Sequence, residues 1–168
     1  MSTNIRHAFT VRQSPQRVFD AVTDVRGWWG NLVGDTHTVG TDWVYFVPDI
    51  HFAKFRTTEL VPGELVEWRC VDSYMSFPED KHEWTGTTVR FEITQPDGPE
   101  GDTRLAFTHL GLTSEVECYD VCETAWGQYV LGSLRDLVLA GAGRPMFFST
   151  EESLAAALAG TVEAPQVP

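Results

Sequence analysis

Residues 14–30 read SPQRVFDAVTDVRGWWG, and the two adjacent tryptophans near the end of that stretch constrain how the rest of the chain is arranged. Side chains one residue apart point about 100° apart on a helix and to opposite faces of a strand, so Trp28 and Trp29 cannot share one buried face. One indole therefore needs a second apolar surface. Ahead of the pair, Ser14 supplies an N-cap and Pro15 takes the first helical position, where its missing N–H costs nothing. Val18, Phe19 and Val22 give this helix one apolar stripe, and Asp24 caps a second short turn that ends at Gly27 or carries into the tryptophans.

Upstream, IRHAFTVR (residues 5–12) alternates Ile5, His7, Phe9 and Val11 against polar or small neighbours, the two-residue period of a half-buried strand. Downstream, from about residue 36 to 109, the runs DWVYFV, HFAKFRTTEL, ELVEWRCV, TTVRFEITQ and TRLAFTHL are divided mainly by turn-forming Pro, Gly and Asp clusters, with no helix between them. That pattern predicts an antiparallel meander. Its core face carries Val66, Trp68 and Cys70, then Val89, Phe91 and Ile93, then Leu105, Phe107 and His109. Glu67, Arg69, Arg90, Glu92 and Arg104 belong on the solvated face, as cross-strand charge pairs without chemistry. Ser114-Glu115-Val116-Glu117 has capping-box spacing and opens the longest helical pattern, from Tyr119 through Trp126, Tyr129 and Leu134 to Val138, stopped by Gly141 and Gly143. A helix of roughly seven turns is expected.

The bulk numbers bound the function classes. A chain of 168 residues fits one domain that buries its core without disulfides or metal. Twelve Lys and Arg against 24 Asp and Glu leave a formal charge of −12, which disfavours nucleic acid and anionic lipid as partners. No stretch is apolar enough to insert in a membrane, no secretory signal is recognisable, and the odd count of Cys70, Cys118 and Cys122 fits free thiols. A cytoplasmic location is expected. No dinucleotide, phosphate-loop, zinc-protease or serine-hydrolase motif occurs.

The order of elements, strand, two short helices, antiparallel strands and a long C-terminal helix, is that of an α+β helix-grip fold. SPQRVFDAVTDVRGWWG resembles the opening of the START-like SRPBCC superfamily, in the branch named after the activator of heat-shock-protein-90 ATPase. EWTGTTVRFEI (83–93), TRLAFTHLGL (103–112) and AWGQYVLGSLRDLVLAG (125–141) are similar to that branch's later strands and terminal helix. The resemblance covers about residues 5–142. It implies a curved, birch-pollen-allergen-like sheet wrapped around the helix, with a cavity between them that takes apolar small molecules in many relatives. It does not imply one reaction, since the superfamily includes lipid carriers, hormone receptors and aromatic polyketide cyclases. Residues 1–144 form the expected domain. Residues 145–168 form an extension outside the resemblance, with a short helix in STEESLAAALAG and a disordered tail in TVEAPQVP.

The function this implies is binding of a lipid-like or aromatic small molecule between sheet and helix, with no cofactor. The large residues facing inward by period are Trp28, Trp29, Trp43, Trp68, Phe91, Phe107, His109, Trp126 and Tyr129, and these are the candidate cavity set. An indole suits a pocket rim because it pairs a large apolar area with one N–H donor; packing of both Trp28 and Trp29 in the core is the alternative. No catalytic residue is assigned. A cyclase-like enzyme would use His109 and Tyr129 to polarise a bound carbonyl, although a histidine at a strand end more simply bonds to backbone. Tyr45, Tyr74 and Tyr119 are further candidates for cavity hydroxyls. Cys118 and Cys122, four apart, could supply two zinc ligands, but partners for them are not evident and no metal is expected. The branch's name adds a chaperone partner as a third reading, and a homodimer through a sheet edge or the tail stays open.

Overall fold

In the computed structural model, which describes residues 3–30 and 32–147, β1 (Asn4–Val11) leads into α1 (Pro15–Thr23) and α2 (Val25–Trp28). Six strands follow: β2 (Leu32–Gly34), β3 (Asp42–Val47), β4 (His51–Val61), β5 (Leu65–Met75), β6 (Thr88–Thr94) and β7 (Thr103–Thr113). The chain then forms one continuous helical segment, made of α3 (Tyr119–Gly127), a π-helical stretch Gln128–Leu134 and α4 (Arg135–Ala140). The sheet is antiparallel throughout, in the order β1-β7-β6-β5-β4-β3-β2, and its curvature encloses the helical segment. This is the helix-grip arrangement that the order of elements implies.

Local chemistry explains where the elements begin. Ser14 Oγ accepts the Arg17 N–H at 3.1 Å, and Pro15 stands in the first turn of α1. The alternating runs bury the expected face: Val66, Trp68, Val89, Phe91 and Leu105 are fully buried. On the outer face Glu67 stands opposite Arg90, and the two form an ion pair at 2.7 Å. Such a partly exposed pair contributes about 0.5 kcal/mol.

The start of the long helix differs from the expected capping box. Helical geometry begins at Tyr119, and the preceding residues form turns. The cap comes from another part of the chain: the Glu83 carboxylate accepts the N–H groups of Glu117 and Cys118, each at 3.1 Å. Glu117, the intended partner of Ser114, turns its carboxylate to the Glu79 N–H instead. β2 was not expected from the sequence, and β5 runs on to Met75. The helix and tail expected over 149–168 lie outside the described residues. Among the described residues, no helix is long and apolar enough to cross a membrane.

Two polar devices fix the helical segment, one to α2 and one to the sheet. At its C-terminal half, Ser133 Oγ donates to the Trp28 carbonyl at 2.7 Å and accepts the Arg144 N–H at the same distance. The chain then returns beneath α2, where Met146 N–H donates to the Trp29 carbonyl. Gly30 makes that approach feasible, because a Cβ on it would stand 2.6 Å from the Met146 carbonyl oxygen and its φ is +83°.

The second device crosses the core. Trp126 Nε1–H donates to His109 Nδ1 at 3.1 Å, which requires the proton of the neutral ring to be on Nε2. His109 Nε2–H then donates to Thr87 Oγ1 at 2.8 Å, and the Thr87 hydroxyl donates to the Trp84 carbonyl. Helix, last strand and the loop carrying Trp84 are thereby joined by one directed chain. Burial, with a smaller contribution from His51, depresses the His109 pKa to about 3, so the ring stays neutral.

Two outcomes are expected. Above the ordinary histidine pKa of about 6.5, His109 is neutral both folded and unfolded. Below it the unfolded chain takes up a proton that the folded chain refuses, and stability falls by about 1.4 kcal/mol per pH unit for each such histidine, until the folded pKa near 3 is reached. Denaturant titrations between pH 7 and pH 4 measure the slope, and His109→Gln reduces it. Separately, Trp28→Ala removes a fully buried indole and lowers unfolding free energy by about 3–5 kcal/mol, read from chemical denaturation.

Candidate functional site

At the end of the sheet where β3 turns into β4, the inner face and α3 leave a pocket of about 290 Å³. The sheet side of the wall is Tyr45 and Val47 from β3, His51 from β4 and Met75 from β5. The helix contributes Cys122, Ala125, Trp126 and Tyr129, and Trp29 and Trp84 close the inner end. Ile50, Phe77 and Val121 also line the pocket while remaining 53%, 46% and 58% exposed, which places them at its mouth. The volume suits a molecule of one or two rings.

The aromatic walls are set by ring contacts. Trp29 stacks on Tyr45 with centroids 4.2 Å apart and lies 4.9 Å from Trp126. Trp84 lies parallel to Trp126 at 5.8 Å, and the His51 ring meets Trp84 edge-on at 4.5 Å. No Asp, Glu, Lys or Arg is among the lining residues. A charged ligand would lose its hydration there without an opposite charge to compensate.

Polar atoms are few. Burial, and then the neighbouring Tyr129, push the Tyr45 phenol far up; burial raises Tyr129 too, offset in part by its hydrogen bond with Tyr45. Both hydroxyls are protonated at neutral pH. Burial depresses His51 to about 3, so its ring is neutral, yet its Nε2 is enclosed without a hydrogen-bond partner. An unsatisfied buried polar atom costs about 1–3 kcal/mol, and a ligand group that bonds to it recovers part of that.

Of the nine candidate cavity residues, Trp29, Trp126 and Tyr129 line the pocket. Trp28, Trp43, Trp68, Phe91, Phe107 and His109 lie behind them in the packed core, each at most 1% exposed. The physical reason is mutual filling. Trp28, Trp29 and Trp68 lie nearly parallel to one another with centroids 6.1–6.5 Å apart, Trp43 meets Trp68 edge-on at 4.8 Å, and Phe107 packs on Trp126 at 4.7 Å. The Trp43 and Trp28 indole N–H groups are satisfied by Thr57 Oγ1 and the Val22 carbonyl. His109 has both ring nitrogens engaged and does not line the pocket, which leaves it no free atom for a bound carbonyl.

Tyr45 joins Tyr129 in the pocket, whereas Tyr74 sits in a small apolar cluster with Val44, Phe46 and Phe52, and Tyr119 packs against the main core. His51, Met75, Trp84 and Cys122 were outside the candidate set. Alternation offers a signal for His51, two residues from Ala53 and four from Phe55, both fully buried on the same face. No such signal exists for Trp84, which follows an irregular loop. Cys118 and Cys122 are free and buried. Among the described residues, no group of three or more His, Cys, Asp and Glu side chains is placed to hold a metal ion.

No family model and no curated protein matches the sequence. Solved structures do. The Aha1 dimer from Colwellia psychrerythraea is 26% identical, with a TM-score of 0.64 over 84% of this chain and 99% of that one. An HSP90 activator from Plasmodium falciparum matches at 20% identity and a TM-score of 0.55, over 84% of this chain and 97% of its own. CalU16 from Micromonospora echinospora matches at 13% identity and a TM-score of 0.58, covering 83% and 77% of the two chains. Sheet order, enclosed helix and these neighbours agree, and the chain has the START-like helix-grip fold of Aha1-type proteins.

Proposed function

We propose that this protein binds an uncharged, predominantly aromatic small molecule in the pocket between the β3–β4 end of the sheet and α3. The observation that carries this reading is the enclosed His51 Nε2 without a partner, in a hollow otherwise made of aromatic and aliphatic surface. A neutral imidazole accepts or donates one hydrogen bond according to its tautomer. With the Tyr45 and Tyr129 hydroxyls on the same wall, it fits a ligand with a phenol, hydroxyl or carbonyl at one end and flat apolar rings elsewhere. Ile50, Phe77 and Val121 give such a ligand an apolar entrance.

A second reading follows from the likeness to Aha1 and to an HSP90 activator: a chaperone partner, and a pair of copies as in the Aha1 dimer. The net charge of −12 gives a basic partner surface something to attract. Salt-sensitive capture of a purified HSP90-type chaperone and a change in its ATPase rate support this reading; unchanged rates on saturation count against it. Sedimentation velocity determines whether copies pair.

For the ligand reading, fluorescence titration with 2-naphthol is expected to saturate, while 2-naphthoate binds at least roughly tenfold more weakly because its carboxylate meets no cation. Tyr129→Phe removes one hydroxyl from the wall and weakens 2-naphthol by about 1 kcal/mol, with a thermal midpoint close to the parent's. Equal affinity for the two probes, or no saturable binding of 2-naphthol, overturns the reading. Native mass spectrometry of the purified protein provides an independent check through any co-purifying small molecule.

A further inference from the structure

The pocket holds a second chemical feature that ligand binding alone does not need. Cys122, on the first turn of α3, contributes its thiol to the wall, and Cys118 stands one turn earlier, with the Cys122 N–H donating to its carbonyl at 2.8 Å. Neither is in a disulfide. We propose that Cys122 is a covalent capture site for α,β-unsaturated carbonyl compounds that enter this pocket. The inference rests on the reading of the pocket as a small-molecule site.

Three arrangements support it. First, the two sulfurs are unequal: hydrogen bonding to Cys122, followed by burial and the nearby Glu83, pushes the Cys118 thiol far up, while the hydrogen bond from Cys118 draws Cys122 down. The thiolate is the nucleophilic form of cysteine, and the downward direction at Cys122 favours it there. Trp84 Nε1–H, which makes no hydrogen bond of regular geometry, also acts on that sulfur to lower it. Burial and the Glu83 carboxylate act in the opposite direction on Cys122 without reversing the shift. Second, the remaining thiol is inert by contrast: burial pushes Cys70 up to about 12, and it lies outside the pocket lining. Third, the unpartnered His51 Nε2 lines the same hollow and offers an N–H or a lone pair to a carbonyl or hydroxyl there. An enone whose oxygen bonds to a ring N–H at His51 would be polarised for attack at its β-carbon.

The step is a conjugate addition and balances without an oxidant or reductant. The Cys122 sulfur forms a bond to the β-carbon, and the C=C π pair moves to the α-carbon and carbonyl oxygen as an enolate. The enolate then takes a proton at the α-carbon from water, replacing the one the thiol released. The net change is addition of S–H across C=C.

The test uses the full chain, N-phenylmaleimide as an uncharged aromatic probe and a sulfonated maleimide as its anionic counterpart. Intact mass spectrometry should show one adduct with the aromatic probe, and peptide mapping should place it on Cys122, with Cys70 and Cys118 unmodified. The aromatic probe should react roughly tenfold faster than the sulfonated one relative to their rates with glutathione, because the apolar pocket concentrates one and excludes the other. Cys118→Ala should slow labelling several-fold, and Cys122→Ser should abolish it. Labelling at Cys70 or Cys118 in the parent protein, or no labelling of the folded protein, overturns the proposal, whatever the variants do. Saturable 2-naphthol binding with an unreactive Cys122 removes the capture site and leaves the ligand reading standing. A reactive Cys122 that shows neither 2-naphthol binding nor preference for the aromatic probe overturns both the ligand reading and the capture site built on it.

Discussion

Trp28 and Trp29 lie 6.1 Å apart with nearly parallel rings, and that contact joins the packed centre of the molecule to the wall of its pocket. Both rings are buried and both lie nearly parallel to Trp68, at 6.4 and 6.5 Å, so the pair shares that surface and differs in its other neighbours. Trp28 faces Trp68 and Phe91 in the core, and Trp29 faces Tyr45, Trp126 and Tyr129. The Trp28 carbonyl is held by the Ser133 hydroxyl of the helical segment, and the Trp29 carbonyl by the Met146 N–H beyond the end of α4. The pocket is thus one margin of the core rather than a separate feature.

Histidine has two different roles in this interior. His109 and His51 are both kept neutral by burial, and the like-charge interaction between them adds to the depression of His109. His109 spends both nitrogens on structure and ties helix to sheet. His51 leaves Nε2 without a protein partner in the hollow. A buried polar atom in that state lowers stability, and its position in the pocket wall is what gives it a functional reading. The same hollow brings together the Tyr45 and Tyr129 phenols, the Trp84 indole and the Cys122 thiol, with no Asp, Glu, Lys or Arg side chain among them.

The helix-grip fold by itself does not identify a reaction, because unrelated activities share it. The particular side chains at the β3–β4 end narrow the field. The pocket is near 290 Å³, the size of a small flat molecule, with exposed Ile50, Phe77 and Val121 at its mouth. Its lack of lining Asp, Glu, Lys and Arg separates it from sites built for carboxylates or phosphates. The thiol on α3 adds chemistry that a passive carrier does not require.

Element order, the antiparallel meander and the inward set Val66, Trp68, Phe91, Leu105 and Phe107 were legible in the sequence, because two- and three-to-four-residue periods reflect which side of a strand or helix avoids water. The same periods identified large inward residues without distinguishing core from pocket. Trp43, Trp68 and Phe91 face inward as truly as Trp126, and only the three-dimensional filling of space decides which rings have neighbours on every side. Tertiary structure alone also decided the helix start, where Glu83 from a distant loop replaced the local Ser114 and Glu117 box. It brought Trp84, His51 and Cys122 together as well, three residues separated by 33 and 38 positions. Local pattern is governed by neighbours in the chain, whereas a pocket is defined by what distant segments leave unfilled, and that is a property of packing.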